Sequence, residues 1–246
     1  MFPNLVAGVR TLAAVSVVSL YVLLLGPPSI LWTMVSRNAR FIYWAGGFGV
    51  RIGFALACIR LDVIGAEHIL RGKSAVYAAN HSSNIEPPAA YVALRALYPR
   101  LHILYKAEMR KIPVLVWVFD AGGFVPIERA NRTQSFAAVD AATKALNAGG
   151  SFLVFPEGTR SRTGDLLPFK KGAFIMAIKA QVPVVPVAVS GARAAMRKGS
   201  PLIHPVTVRL QFAPPISTAG LTVDDRDSLM ETVRDAIATR LPSTPC

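Results

Sequence analysis

The N-terminal quarter of the chain is apolar and contains no acidic side chain; the first carboxylate belongs to Asp62. Residues 11–36 carry no charge of either sign, and residues 12–25 are mostly Leu, Val and Ala. A second apolar stretch, residues 41–59, holds a single charged residue, Arg51. So much contiguous apolar surface is costly to leave in water, so this segment must be covered by lipid or by protein.

Three interpretations of this segment compete. A cleaved signal peptide needs several basic residues before the apolar run and a small-residue site after it, but only Arg10 precedes the run and residues 26–28 are Gly-Pro-Pro. A hairpin packed on the domain or on a second subunit would also cover the apolar surface. We favour membrane association, because the chain combines this segment with a net charge of +13.

Two prolines decide which membrane arrangement is predicted. Proline lacks the N–H donor and restricts the residue before it, so Pro27 and Pro28 are expected to end a helix. The uninterrupted residues 11–25 would then span about 22 Å, short of the roughly 30 Å hydrocarbon core. We therefore predict two helices in one leaflet with a turn at the prolines, rather than one kinked span through Met34. Four arginines would meet anionic headgroups: Arg37, Arg40, Arg51 and Arg60.

Composition excludes several classes of protein. With 52% hydrophobic residues the chain is too apolar to be disordered. Its two cysteines form neither a disulfide framework nor a metal-ligand cluster, so we expect no metal site and a reducing, cytoplasmic environment for the main domain. The 27 Lys and Arg against 14 Asp and Glu would suit nucleic acid, but no recognised binding motif is present and no nucleic-acid partner is expected.

From residue 60 onward, strand-like runs alternate with helical patterns, which is typical of an α/β fold with a mixed sheet covered by helices. We predict a membrane-associated helical hairpin over residues 1–59 and a single α/β domain over residues 60–246. The predicted strands are residues 60–64, 74–80, 101–106, 124–127, 151–155, 182–189 and 206–212. The predicted helices are residues 87–97, 114–121, 133–146, 173–180 and 224–241.

One loop after a predicted strand carries a histidine and a carboxylate. His81 follows the strand end, and Glu86 lies five residues later, before Pro87 and Pro88 begin a helix. On one helix the two side chains would lie on different faces, but in a turn the carboxylate can meet the imidazole. Such a carboxylate keeps one ring nitrogen protonated and leaves the other free as a general base. A helix-capping loop with an incidental histidine is the alternative that this segment alone does not exclude.

Other strand ends are followed by basic loops. The turn Glu157-Gly158-Thr159-Arg160 follows one strand, Lys170 lies ten residues after Arg160, and Arg129 follows another strand. Arg offers a two-pronged donor and Lys a point charge, a combination that suits a phosphate-like anion. Residues 95–198 hold 16 basic and 6 acidic side chains, so most of the net charge surrounds these loops. A salt bridge between Glu157 and Arg160 would be a purely structural alternative.

These segments resemble, in order, the four motifs of the glycerolipid acyltransferases, which acylate lysophosphatidic acid (1-acyl-sn-glycerol-3-phosphate). The matching segments are Asn80-His81 with Glu86, residues 123–129, residues 155–161 and residues 182–187. The resemblance covers about residues 60–215, and it implies the family's glycerophosphate acyltransferase-like fold. The apolar N-terminal segment resembles the membrane-docking element of bacterial members, which implies the cytoplasmic face of a bacterial inner membrane.

The resemblance also implies a chemistry. His81, oriented by Glu86, would deprotonate the sn-2 hydroxyl of lysophosphatidic acid. That hydroxyl would attack an acyl thioester of acyl carrier protein or coenzyme A and give phosphatidic acid for phospholipid biosynthesis. The transfer would need no metal, no cofactor and no covalent enzyme intermediate. The residues implied in holding the acceptor phosphate or shaping its pocket are Arg129, Glu157, Gly158, Thr159, Arg160 and Lys170.

The sequence departs from the family pattern at Glu86, where the family usually has Asp. Glutamate is one methylene longer, so the imidazole can still be paired if the loop retreats slightly. The acceptor therefore stays open between lysophosphatidic acid and another lysolipid, such as lyso-ornithine lipid. The donor stays open as well, although an acidic carrier protein would suit the basic face of the protein.

Overall fold

The structure is a computed structural model that describes residues 2–111, 116–117, 119–120, 122, 124–127 and 132–242. Its helices are α1 (Phe2–Ser36), α2 (Arg40–Leu56), α3 (Glu86–Ala93), α4 (Arg132–Asn147), α5 (Gly172–Ala180), α6 (Ala192–Ala195) and α7 (Arg226–Ala238). Its strands are β1 (Ile59–Ile64), β2 (Val76–Ala79), β3 (Leu101–Lys106), β4 (Val125–Ile127), β5 (Ser151–Val154), β6 (Val184–Ser190) and β7 (Val206–Phe212). Short 3₁₀ turns lie at Ala66–His68, Arg95–Leu97, Ala107–Lys111 and Val223–Asp225.

The strands form one mixed sheet in the order β1-β7-β6-β2-β5-β3-β4. Neighbouring strands are parallel except for β6 and β7, which run antiparallel. Because β2 and β5 are adjacent and parallel, the loops that follow them leave the sheet side by side at its carboxyl edge. In open α/β sheets this edge is where ligands bind.

Helices cover both faces of the sheet, and the residues of β2 alternate between them. Val76 and Ala78 pack into the cluster formed with α4, α5 and α7. Tyr77 and Ala79 point the other way, into the cluster formed with α2 and α3. All four side chains are fully buried, which explains why the central strands read as continuous apolar runs rather than as alternating patterns.

The predicted mixed α/β fold is confirmed, and every predicted strand is present with ends within two residues of those expected. The helix predicted over residues 87–97 is shorter, because α3 ends at Ala93 and a 3₁₀ turn follows. Of the helix predicted over residues 114–121, the structure describes residues 116, 117, 119 and 120, which are helical; the other four lie outside the described residues.

The turn predicted at Pro27 and Pro28 is wrong, because α1 runs through both prolines without interruption. Ser29 and Thr33 donate their hydroxyls to carbonyls one turn back, at 2.5 and 2.8 Å. Proline is tolerated in helices of this apolar kind, because lipid offers the backbone no alternative hydrogen-bond partner. The helix ends instead where Arg37 adopts a left-handed conformation (φ 51°).

Helix α1 is long, apolar and exposed. Residues Asn4–Ser36 form a 33-residue segment with mean hydropathy up to 2.0, and only 6% of its most apolar window is buried. At about 50 Å it exceeds the hydrocarbon thickness that residues 11–25 alone would not reach. By length and composition it is a candidate membrane span.

Helix α2 lies between α1 and the α/β domain. Small residues let α1 approach, since a side chain added at Gly49 would meet Tyr21 at 2.8 Å. On its other side α2 buries Ile42, Tyr43 and Phe54 in the same cluster as β1, β2 and β6. The N-terminal helical pair is therefore continuous with the main core through α2.

Candidate active site

The loop after β2 begins with an asparagine that fixes where the strand ends. The amide of Asn80 donates to the carbonyl of Val189 on β6 at 2.9 Å and accepts from the N–H of Val189 at 2.7 Å. These two bonds replace the next step of the parallel ladder. The chain then turns at the carboxyl edge of the sheet and presents His81.

Glu86, the first residue of α3, meets the imidazole as predicted. Its Oε2 lies 2.7 Å from Nδ1 of His81. The same carboxylate accepts the N–H of Ser82 at 2.8 and 2.9 Å and its hydroxyl at 2.6 Å. Glu86 is fully buried, so these donors replace the water that it loses on folding. The added methylene of glutamate does not prevent the pairing.

The imidazole of His81 is held on its face as well as at its edge. Its ring lies against that of Phe155, with centroids 4.5 Å apart. The side chain is 16% exposed and lines the main cleft. With Nδ1 donating to Glu86, Nε2 is left with a lone pair that can take a proton from a ligand in that cleft.

The carboxylate of Glu157 is bonded to backbone N–H groups of both site loops. Glu157 is buried, and its carboxylate accepts the N–H of His81 at 2.6 Å and the N–H of Leu167 at 3.0 Å. Burial raises the pKa of Glu157 to about 7, repulsion from Glu86 adds to the increase, and the two N–H donors and Arg234 oppose it. No salt bridge joins Glu157 to Arg160 in the described structure. Glu157 links the two site loops, and its part in shaping the acceptor pocket stays a prediction.

Gly158 shapes the turn that carries the basic residues. It has a positive φ of 69°, which favours glycine. A side chain added there would come within 2.9 Å of Cε of Lys170, so the lysine would have to move away from the turn. Thr159, Arg160 and Lys170 all line the cleft, as predicted for an anion site.

Three cations that line this cleft have no carboxylate partner among the residues that the structure describes. Within the described residues, no carboxylate oxygen lies within 4 Å of the side-chain nitrogens of Arg160, Lys170 or Lys198. Elsewhere, surface cations such as Lys179 and Arg209 have such partners at 2.9 and 2.7 Å. The cluster is therefore suited to an external anion.

The cleft has a volume of about 760 Å³ and joins this cationic corner to an apolar wall. Its polar lining is His81, Asn84, Thr159, Arg160, Lys170 and Lys198. Its apolar lining includes Ile42, Val50, Tyr91, Ile103, Phe119 and Phe124. The first two belong to α2, so the N-terminal helical pair forms part of the wall. The shape suits a ligand with an anionic head and an apolar tail.

The structure brings together most of the residues that the sequence predicts. His81, Glu86, Gly158, Thr159, Arg160 and Lys170 meet at the carboxyl edge of the sheet, with Glu157 behind them. Arg129 lies outside the described residues, so its predicted role stays a prediction.

Sequence reasoning missed three contributors to the site. Ser82 gives Glu86 two of its donors, and Phe155 supports the imidazole; both lie inside the recognised motifs, so their positions could have signalled a role. Lys198 lies in none of the motifs. The only signal for it was the excess of basic side chains over residues 95–198.

Comparisons with known proteins agree with this geometry. A family model described as acyltransferase matches residues 60–190. The 1-acyl-sn-glycerol-3-phosphate acyltransferase of Limnanthes douglasii is 33% identical over 187 residues, 76% of this chain and 65% of that protein. The alpha enzyme of the same name from Mus musculus is 32% identical over 189 residues, 74% of this chain and 63% of its own. The chain thus spans slightly less than two thirds of these curated relatives.

A solved structure matches almost the whole chain. The crystal structure of the 1-acyl-sn-glycerophosphate (LPA) acyltransferase from Thermotoga maritima superposes with a TM-score of 0.83 at 26% sequence identity. The match covers 96% of this chain and 95% of the other. The N-terminal helices as well as the α/β domain therefore fall within a known arrangement.

Proposed function

The chain belongs to the acyltransferase family, and on that premise we propose that it transfers a fatty acyl group from a thioester to the sn-2 hydroxyl of lysophosphatidic acid. The product is phosphatidic acid. The observation that carries the proposal is the pair of His81 and Glu86, 2.7 Å apart, at one end of a cleft with an uncompensated cationic corner and an apolar wall. The names of the relatives point to the same reaction.

The mechanism follows from the free ring nitrogen. Nε2 of His81 takes the proton of the acceptor hydroxyl as its oxygen attacks the thioester carbonyl carbon. The tetrahedral intermediate then collapses, the carbon–sulfur bond breaks, and the thiolate leaves with the proton that the imidazolium returns. Glu86 holds the ring orientation and stabilises the imidazolium, which is the role of a carboxylate behind a catalytic histidine.

The cationic corner supports a phosphate-bearing acceptor. A phosphate monoester carries nearly two negative charges at neutral pH, and Arg160 and Lys170 have no carboxylate partner in the described structure. Lyso-ornithine lipid is a zwitterion with one carboxylate, so it would leave more positive charge unbalanced. We therefore favour lysophosphatidic acid over the lyso-aminolipid.

The apolar parts of the structure support a lipid substrate taken from a membrane. Helix α1 exposes large apolar side chains, among them Leu12, Leu23 and Leu24 at 64–68%. Helix α2 packs beneath it and contributes Ile42 and Val50 to the cleft. A lysolipid could therefore pass from the membrane to the site along α2. Because the thioester donors are cytoplasmic, the cleft would face the cytoplasm.

Acceptor competition tests the proposal. Purified protein in phospholipid vesicles is given labelled lysophosphatidic acid, lyso-ornithine lipid or lysophosphatidylcholine, each with acyl carrier protein and coenzyme A thioesters. We expect phosphatidic acid from the first acceptor and little product from the others. Product from lyso-ornithine lipid alone would overturn the choice of acceptor, and no product from any acceptor would overturn the proposed function.

A further inference from the structure

One cation of the cleft comes from outside the four motifs. Lys198 lies in the loop between α6 and β7 and lines the cleft together with Arg160. Its Nζ donates to the carbonyl oxygen of Arg160 at 2.8 Å and lies 3.4 Å from Oγ1 of Thr159. The loop between α6 and β7 therefore closes over the turn that carries the basic residues.

A second bond fixes this loop relative to the catalytic histidine. Ser83, two residues after His81, donates its hydroxyl to the carbonyl of Met196 at 2.8 Å. The segment that carries Lys198 is thus tied both to the histidine loop and to the Arg160 turn. These two bonds fix the position of Lys198 at the cleft, whereas a lysine that ends in open solvent has no such bonds.

The charge of Lys198 has no internal use in the described structure. An ammonium group has three N–H donors, and the two acceptors that it reaches here are both neutral. It is bonded to the turn that carries Arg160, and both side chains line the same cleft. A phosphate group offers three charged oxygens, so it can accept one hydrogen bond from each of three cations.

We propose that Lys198 is the third cation of the phosphate site, where it binds the acceptor phosphate together with Arg160 and Lys170. This deepens the proposed function and rests on it. The phosphate could also belong to the donor, since coenzyme A and the carrier-protein arm both contain phosphate. We assign it to the acceptor because the reacting hydroxyl and the phosphate ester lie on adjacent carbons of glycerol. A hydroxyl at His81 therefore brings its own phosphate into the same corner.

Steady-state kinetics of matched variants test the assignment. We expect Lys198→Ala to raise the KM for lysophosphatidic acid by about tenfold or more, because it removes a charged donor to a charged ligand. The KM for the acyl donor and the kcat at saturating acceptor should stay within about twofold. Lys198→Arg should restore most of the affinity. Arg197→Ala removes the same charge from the exposed neighbouring residue, which does not line the cleft, and should change nothing.

Each other kinetic result contradicts the assignment. A rise only in the KM for the donor would show that Lys198 binds a phosphate of the donor rather than that of the acceptor. A fall in kcat alone would make Lys198 a support for the Arg160 turn rather than a ligand. An equal effect of Arg197→Ala would show that Lys198 acts only through the general surface charge and not as a ligand of the phosphate.

Binding of sn-glycerol 3-phosphate by calorimetry separates this proposal from the proposed function. The wild-type protein should bind this soluble headgroup, and Lys198→Ala should weaken binding by a similar factor. If binding behaves so but lysophosphatidic acid is not acylated, the phosphate site stands and the proposed reaction fails. If lysophosphatidic acid is acylated and Lys198→Ala changes neither binding nor KM, the role of Lys198 is refuted and the reaction stands.

Discussion

The candidate active site and helix α1 differ in how their groups are satisfied. In the site, the carboxylates of Glu86 and Glu157 are buried, and each oxygen accepts at least one hydrogen bond from the protein. Along α1, Leu23 and Trp32 are 68% and 58% exposed. The two carboxylates are therefore satisfied within the protein, whereas α1 needs lipid or another protein to cover it.

Helix α2 joins the two regions. Gly49 and Gly53 let α1 approach on one side, while Ile42 and Val50 reach the cleft on the other. Tyr43 donates toward the carbonyls of Leu101 and Gly122, next to β3 and β4. Helix α2 therefore connects the apolar surface of α1, which can enter a membrane, to the polar site, and it is the only helix between them in the described structure.

The largest effect is expected when the carboxylate that pairs with His81 is removed. Glu86→Ala should lower kcat by about 10³-fold, because the imidazole loses its orientation and the partner of its imidazolium. Glu86→Asp should recover activity to within about tenfold of the wild type. Activity is measured with lysophosphatidic acid in vesicles, and circular dichroism verifies the fold. Activity above a tenth of the wild type in the Ala variant would show that the carboxylate is dispensable.

Breaking the apolar region should affect where the protein resides rather than its chemistry. Leu23→Asp should weaken vesicle binding by about a hundredfold, since a carboxylate is costly in the bilayer interior. Turnover of a short-chain, water-soluble acceptor should stay within twofold. Vesicle flotation gives the first quantity. Val223→Asp, at an exposed apolar residue far along the chain from α1, is the control; an equal loss of binding in that variant would contradict the role of α1.

The burial of Glu157 should also make the stability of the fold depend on pH. The pKa of Glu157 is about 7 in the folded protein against an ordinary value of 4.5, because burial disfavours the charged carboxylate. A raised folded pKa means that the group stabilises the fold fully below pH 4.5, and this stabilisation is lost as the pH rises through 7. Relative to Glu157→Gln, the wild type should lose at most about 3 kcal/mol over this range.

Chemical unfolding between pH 4.5 and 8 measures this difference. Glu231→Gln on the exposed face of α7 is the control and should track the wild type at every pH. The same pH slope in the wild type and in Glu157→Gln would show that Glu157 does not titrate in this range.

The smallest effect is expected at the joint between the regions. Tyr43→Phe removes a buried hydroxyl from the carbonyls of Leu101 and Gly122, and should cost about 1–2 kcal/mol of unfolding free energy. Tyr21→Phe removes a partly buried bond between α1 and α2 and should cost less. Unfolding in a fixed detergent compares the two. A larger loss of unfolding free energy for Tyr21→Phe would show that the contact between α1 and α2 stabilises the fold more than the contact between α2 and the α/β domain.

Much of the α/β domain could be predicted, because its central strands are short apolar runs with clear turn signals. Residues 151–154 and 184–190 were recognisable for this reason, and the order of strand, loop and helix placed His81 and Glu157 at strand ends. The parallel pairing that brings these two loops together could not be derived from local pattern, since it depends on which strands are neighbours in the sheet.

What the sequence does not predict has physical causes. Pro27 and Pro28 break helices in water, but a long apolar helix tolerates them, because lipid offers its backbone no alternative hydrogen-bond partner. The sequence also does not show that Glu157 accepts hydrogen bonds from two backbone N–H groups. Backbone donors leave no trace in a sequence. Lys198 reaches the site through a loop, which no motif spacing predicts.

The central claim is that His81 is the base of an acyl transfer to lysophosphatidic acid. It is tested most directly by the rate of phosphatidic acid formation in His81→Ala, with His204→Ala as the histidine control outside the cleft lining. The account predicts a loss of about 10³-fold or more in kcat for His81→Ala, an unchanged fold, and wild-type rates for His204→Ala. Phosphatidic acid formed at near wild-type rates by the folded His81→Ala variant would contradict it.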